Sequence, residues 1–215
     1  ILAPVSNRLF FINIHADFDQ WMEDFAVKNR IRSDIITFLR HYPECLVVTT
    51  LESDAWASPR SWTYASISFD SFGDSLTDET MFTILSGHVG TEATTRFIEY
   101  HELYAKWNAK KILNKHETVE VENLSKIESY ALLSSCVVCL LKYFRENRFR
   151  LNGFMERLIN NFESILIDMI RWHKEIVPLG LKLILVEEKA ATGRTDIIKR
   201  LTAKKQIVKE IFELV

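Results

Sequence analysis

Apolar residues recur at helical spacing along most of this chain, and this periodicity limits the fold more than any other feature. In the first such segment Phe18, Trp21, Met22 and Phe25 fall on one helical face, because residues three and four apart lie above one another on a helix. Asp17 precedes them and is a suitable cap for the helix start. We expect a mostly α-helical fold, with about 60–70% of residues in helices.

Further segments carry the same period or a clear helix start. Ser58 and Pro59 are a strong start signal, because the hydroxyl can accept from an unpaired backbone N–H while proline occupies the first helical position. We expect that helix to end near Phe69 or Phe72. The other expected helices are 33–40, 77 to a turn at 87–90, 91–106, 125–145, 152–175, 181–189 and 196–214.

Several segments interrupt the helical pattern. Residues 9–14 form a short β-branched and aromatic run that favours a single buried strand. Residues 45–50 are expected to be somewhat extended. Residues 110–123 form the most polar segment and have no sustained period, so we interpret them as a linker or exposed loop. Pro178 and Gly180 are expected to precede the helix at 181–189 rather than to lie in it.

Charge and hydropathy exclude some function classes. The chain has 27 Lys and Arg against 29 Asp and Glu, a net charge of -2, so no global field would hold nucleic acid or an anionic membrane. The longest apolar stretch, 130–141, is far shorter than the roughly 20 residues that cross a bilayer. We expect no membrane span and no nucleic-acid partner.

The cysteines indicate a reducing compartment. Cys45, Cys136 and Cys139 are three in number and cannot all pair, and a domain of this size does not need disulfides for its stability. We therefore expect a cytoplasmic protein. The spacing of Cys136 and Cys139 permits a zinc or redox site, but the apolar surroundings favour two small core residues one turn apart.

No enzyme motif stands out when the residues are taken alone. The six histidines form no HExxH, and the six glycines form neither a phosphate-binding loop nor GxSxG. We assign no metal ligand.

Two arginine-bearing segments nevertheless resemble a known family. The opening ILAPVSNRLFFINI resembles the segment of AAA+ modules that follows the first sensor strand, where a proline-containing turn ends in an arginine. The sequence AWASPRSW at 55–62 resembles the A-S-P-R motif of MoxR-like AAA+ ATPases. At lower specificity, FTILSGHVGTEATTRF at 82–97 is similar to the G-x-V-G-x-x-A segment that joins two lid helices. Residues 125–141 and 161–190 are similar to the C-terminal extension of phage and bacterial members.

The resemblance implies roles for particular residues. Arg8 would be the arginine finger, acting in trans on the nucleotide of a neighbouring subunit. Arg60 would be the second sensor, with Ser58 and Pro59 starting the lid helix that holds it over the phosphates of ATP. A planar guanidinium suits this role, because phosphoryl transfer places negative charge on oxygens that it can contact in fixed geometry.

The resemblance also implies an organisation. Residues 1–16 would end the ATPase core and contribute one strand, 17–108 would form the helical lid, 109–124 a linker and 125–215 a helical extension. The phosphate-binding loop and the Mg²⁺-binding residues would lie before Ile1, so this chain should not hydrolyse ATP alone. The complete protein would form a homo-oligomeric ring that remodels or chaperones a protein client. The alternative is a non-catalytic helical interaction or scaffold module.

Two smaller features of the sequence each leave two interpretations open. Trp56 and Trp62 flank Arg60 and could pack the lid helix or stack on adenine, and we favour packing. Residues 142–150, KYFRENRFR, interleave cations with aromatic residues, which is typical of a nucleic-acid or partner patch but also of an ordinary amphipathic helix end. Near-neutral net charge favours the helix end.

Overall fold

The computed structural model describes residues 16–48, 55–115 and 117–203 of the chain. The protein is mostly helical, as predicted, and these residues contain no β-sheet. Their only β-type pairing is an isolated antiparallel bridge between Val48 and Ala57. The strand predicted at 9–14, and Arg8 with it, lies outside the described residues.

The helices follow one another with short connections. Their bounds are α1 Phe18–Trp21, α2 Ser33–His41, α3 Pro59–Phe72, α4 Asp78–Val89, α5 Thr91–Ala105, α6 Ala109–Leu113, α7 Lys126–Glu146, α8 Gly153–His173, α9 Val177–Thr192 and α10 Asp196–Leu201. A π-helical turn, Met22–Ala26, continues α1. Cys45 and Leu46 belong to the 3₁₀ turn Pro43–Leu46, so the extended conformation predicted for 45–50 is wrong for these two residues. Val47 has extended backbone angles, and residues 49–54 lie outside the described residues.

Side-chain caps define the helix starts that the sequence predicts. Asp17 Oδ1 accepts a hydrogen bond from Gln20 N at 2.7 Å. In the same way, the side chain of Thr77 accepts from Thr80 N, and that of Asn152 accepts from Met155 N. Such bonds satisfy backbone N–H groups that have no partner inside the helix. These helix starts are therefore confirmed.

Three predicted helix boundaries are wrong. Helix α10 ends at Leu201, with Thr202 as its C-cap, whereas the sequence predicted a helix over 196–214; residues 204–215 lie outside the described residues. Helix α4 continues through Gly87 and ends at Val89. Of the two glycines in this segment, Gly87 keeps helical backbone geometry and Gly90 has a positive φ. Helix α9 begins at Val177 and contains Gly180, where a β-carbon would lie 3.0 Å from the side chain of Leu133. Gly180 is a close-packing residue between helices rather than a helix breaker.

The polar segment 110–123 is only partly exposed. It includes most of α6 and the 3₁₀ turn Val121–Asn123. Ile112, Leu113 and Val121 are buried in the core, and Asn161 donates to the carbonyl oxygen of Leu113 at 2.8 Å. The segment is therefore not one continuous exposed loop, because buried residues of α6 and of the 3₁₀ turn alternate with exposed ones.

Helix α7 is the central helix of the fold. It packs against α2, α5, α6, α8 and α9, and its buried residues occupy several faces, including Ala131, Leu133, Cys136 and Leu140. The hydroxyl of Tyr130 donates to the carbonyl oxygen of Thr37 at 2.8 Å, which links α7 to α2. One hydrophobic core thus includes residues from both sides of the 110–123 segment.

Helix α7 is also the one described helix with the length and composition of a membrane span. Its mean hydropathy is 1.4 over an 18-residue window, and 67% of that window is buried inside the protein. Burial of this kind is what the core helix of a soluble protein shows.

Candidate functional site

The start of α3 is rigidly defined by its own side chains. Ser61 N donates to Ser58 Oγ at 3.2 Å, and Ser58 N donates to Ser61 Oγ at 2.8 Å. This reciprocal capping box satisfies two backbone donors at once. Pro59 occupies the first helical position, where its fixed φ suits the helix. The sequence predicted that Ser58 and Pro59 begin this helix, and the structure confirms that prediction.

One face of α3 anchors the helix in the core. Trp62, Ala65, Ser66 and Phe69 are buried at the i, i+3, i+4, i+7 spacing of one helical face. The indole N–H of Trp62 donates to the carbonyl oxygen of Cys45 at 2.9 Å. Because both ends of this face are in the core, α3 holds a fixed orientation.

Arg60 lies on the opposite face of α3 and is exposed. It forms no ion pair with any residue that the structure describes. A cation in the first turn of a helix faces the positive end of the helix dipole. The guanidinium is therefore available to an anion, held on a fixed helix start.

The turn between α4 and α5 contacts the segment that leads into α3. Gly90 has φ 81°, and a β-carbon on it would lie 2.6 Å from the carbonyl oxygen of Ala55. Only glycine permits this approach. The contact brings together the two sequence segments, 55–62 and 82–97, on which the family resemblance rests.

The two tryptophans beside Arg60 differ in environment. Trp62 is fully buried, with its ring 5.6 Å from that of Phe38, so its predicted packing role is confirmed. Trp56 is 48% exposed, and its predicted role in packing α3 is wrong. The backbone explains the difference, because Trp56 precedes the helix and Trp62 points inward from its first turn.

The cysteine pair on α7 behaves as ordinary core residues. Cys136 is buried and Cys139 is half-buried, and burial raises the pKa of both thiols. Protonated thiols are poor metal ligands and poor nucleophiles. Among the described residues no three His, Cys, Asp or Glu side chains are grouped for a metal ion.

A second arrangement of charged residues includes part of the segment 142–150, for which the sequence favoured an ordinary helix end over a partner patch. An open cleft of about 1000 Å³ lies between the loop before α2 and the C-terminal ends of α7 and α9. Lys142 and Arg145 from the last turns of α7, and Arg148 from the turn that follows it, line the cleft together with Arg30 and Arg32. The sequence did not signal this cleft, because the two sets of cations lie more than a hundred residues apart in the chain.

Comparisons of the chain with protein-family models, with curated proteins and with solved structures found no match.

Proposed function

We propose that the chain is the lid and C-terminal extension of a MoxR-like AAA+ ATPase, with Arg60 as the residue that senses the phosphates of ATP. The complete protein would be a cytoplasmic ring that couples ATP binding and hydrolysis to remodelling of a protein client. The ATPase core, with its phosphate-binding loop and Mg²⁺ site, would belong to residues encoded before Ile1.

The observation that carries this proposal is the exposed Arg60 on a helix start whose backbone is restrained by three separate contacts. The Ser58 and Ser61 capping box, the buried Trp62 and the approach of Gly90 to Ala55 all restrain its backbone. A guanidinium without a carboxylate partner among the described residues fits a phosphate oxygen. Holding it on a rigid element reduces the reorganisation needed at the moment of contact.

The role of Arg60 can be tested by nucleotide titration of the complete protein. A lid can respond to nucleotide only through contacts that differ between ATP and ADP. We expect Arg60→Ala to reduce the preference for ATP over ADP by roughly 1–3 kcal/mol, the scale of a charge-assisted hydrogen bond. Isothermal titration with both nucleotides measures this preference. Unchanged affinities for both would contradict the sensor role.

Two variants serve as controls. Arg60→Lys keeps the charge but not the planar fork, so it should restore only part of the preference. Arg171→Ala removes an exposed arginine from α8 and should change neither affinity. The sequence encoded before Ile1 gives an independent test, because the proposal requires GxxxxGK[ST] followed by an acidic strand.

Arg8 lies outside the described residues, and its role as an arginine finger is a proposal from the resemblance alone. In the complete protein Arg8→Ala should slow ATP turnover by about 10³-fold while leaving nucleotide binding nearly intact. Mixing this variant with subunits that lack a working phosphate-binding loop should restore some activity. No restoration at any mixing ratio would exclude action in trans.

A non-catalytic interaction module is the second candidate, and one observation favours it. Tyr64 and Ile67 lie on the face of α3 that carries Arg60 and are 52% and 55% exposed. Exposed apolar side chains beside a cation are typical of a protein-binding surface. On this alternative the complete protein would neither bind nor hydrolyse ATP.

A further inference from the structure

The cleft behind α7 is lined by more cations than anions. Lys28, Arg30 and Arg32 come from the segment before α2, and the α7 end contributes three more. These six cations are accompanied by three carboxylates, Asp34, Asp70 and Glu187. The whole chain has a net charge of -2, so this local excess of positive charge is a property of the cleft and not of the protein surface in general.

The carboxylates in the cleft are bound to two of the arginines. Asp34 is buried and accepts from Arg32 Nε at 3.1 Å and from Arg32 Nη2 at 2.6 Å. Asp70 Oδ1 lies 3.6 Å from Arg32 Nη1. Glu187 is buried and forms a bidentate pair with Arg145. These contacts neutralise Arg32 and Arg145 and hold their guanidinium groups in place.

The remaining cations have no such partner in the cleft. Arg30, Lys142 and Arg148 form no ion pair with any residue that the structure describes, and Lys28 pairs only with the exposed Asp24, at 3.3 Å. The C-terminal end of α7 favours nearby cations through its dipole. That effect does not account for Lys28 and Arg30, which belong to another element.

Neutral hydrogen-bonding groups lie on the α5 side of the cleft. His101 and Tyr104 both line it. Burial raises the pKa of Tyr104, so its hydroxyl stays protonated and can donate. Burial is also the main cause that lowers the pKa of His101, and its Nδ1 has no hydrogen-bond partner. The cleft thus offers neutral polar groups in addition to cations.

We propose that this cleft binds a compact phosphate-bearing anion, held by Lys28, Arg30, Lys142 and Arg148. The four cations come from two sides of one cleft, and the proposed ligand would contact both sides. A phosphate group offers several oxygens to such an arrangement, and Arg and Lys are its usual partners. This site shares no residue with the α3 start and does not depend on the ATPase proposal.

The side chains of the cleft and the charge of the chain favour a small ligand over a nucleic acid. Non-specific binding of single strands depends on exposed aromatic rings on which bases stack. The aromatic side chains that line the cleft, Phe149, Tyr104 and His101, are all partly buried, and the ring of Phe149 lies 6.0 Å from that of the buried Phe144. A long polymer also needs cations beyond the cleft, which a chain of net charge -2 does not supply in excess.

Titration of the 215-residue chain with inorganic pyrophosphate, inorganic phosphate and ATP tests the proposal. We expect pyrophosphate to bind, and Lys142→Gln and Arg148→Gln each to weaken its affinity about tenfold or more. Comparison of the three anions separates a free phosphate compound from a nucleotide as the source of the phosphate. Absence of pyrophosphate binding at millimolar concentration would overturn the proposal.

Controls distinguish the cleft from general surface charge. Arg171→Gln on α8 removes an exposed arginine outside the cleft and should leave pyrophosphate affinity unchanged, whereas equal weakening by all three variants would overturn the site. Thermal unfolding of each variant shows whether it is folded. The side-chain NMR signals of His101 should shift on titration more than those of His88 and His173, which do not line the cleft; equal shifts would place the anion elsewhere.

An oligonucleotide titration decides between the small ligand and a polymer. We expect single-stranded oligonucleotides to bind more weakly than pyrophosphate at the same ionic strength. Tighter oligonucleotide binding that Lys142→Gln and Arg148→Gln both reduce would identify a nucleic-acid groove instead, and would overturn the compact-anion assignment.

Discussion

Gly90 and Ala55 approach so closely that a β-carbon on Gly90 would lie 2.6 Å from the carbonyl oxygen of Ala55. The two residues are remote in sequence, and their contact places the turn between α4 and α5 against the segment that enters α3. Gly90 O also accepts from Thr94 Oγ1 at 2.7 Å. The position of Arg60 is therefore coupled to the geometry of this turn.

Replacing Gly90 by alanine should destabilise the protein. Gly90→Ala introduces both a backbone clash and a positive φ that alanine disfavours, which together cost about 1–3 kcal/mol. Urea unfolding followed by circular dichroism measures the change. Gly87→Ala is the matched control, because Gly87 is helical and nothing lies within 4 Å of its added β-carbon; it should stabilise by about 0.5–1 kcal/mol. If both variants lose stability equally, the contact with Ala55 is not the cause.

The two tryptophans that flank Arg60 should respond differently to truncation. Trp62→Phe removes buried volume and leaves the carbonyl oxygen of Cys45 without its donor, so we expect a loss of about 1–3 kcal/mol. Trp56→Phe changes a half-exposed side chain and should stay within about 0.5 kcal/mol. Chemical denaturation of both variants checks this order. A larger loss for Trp56→Phe would mean that Trp56 is the residue that anchors α3.

Glu128 makes part of the stability depend on pH. Hydrogen bonds from the hydroxyl and backbone N–H of Ser125, and then from Lys106, lower the pKa of Glu128 from 4.5 to about 2. A carboxylate with a lowered folded-state pKa contributes stability above its unfolded pKa and loses that contribution as the pH falls toward the folded value. The contribution of Glu128 should therefore be complete above about pH 5 and should disappear between about pH 4.5 and 2.

Melting temperatures measured from pH 6 to pH 2 test this assignment. Glu128→Gln should melt lower than the wild type at pH 6, and the difference should shrink as the pH falls through the window. Glu122→Gln is the control, because Glu122 is exposed in the preceding 3₁₀ turn. A constant difference between Glu128→Gln and the wild type across the whole range would show that the ionised carboxylate is not responsible.

Limited proteolysis should begin between α6 and the 3₁₀ turn at Val121. Lys115 is exposed and has φ 58°, whereas Leu113 and Val121 on either side are buried. A protease needs several accessible residues in an extended conformation. We expect trypsin to cut after Lys115 before it cuts after Lys126 or Lys142 in α7, and mass spectrometry of the first fragments identifies the site. First cleavage inside α7 would show that the central helix opens more readily than this loop.

The helix starts could be read from the sequence because the interactions that define them are local. Ser58, Asp17 and Ser125 each bond to a backbone N–H three residues later. The buried face of α3, from Trp62 to Phe69, follows from helical spacing in the same way. Ser58, Pro59 and an exposed Arg60 in the first turn were therefore available without any tertiary information.

Tertiary structure decided the features that depend on residues far apart in the chain. Glycine commonly marks the end of a helix, and the sequence therefore predicted that Gly180 precedes α9. Its close approach to Leu133 shows that it is a packing residue inside α9. Ile112 and Leu113 lie in a polar stretch, yet α7 and α8 cover them. The cleft joins Arg30 to Arg148 only because α7 ends beside the segment before α2. Local pattern determines where a helix begins and which face is apolar, whereas long-range packing determines what that face contacts, and no short sequence window contains both partners.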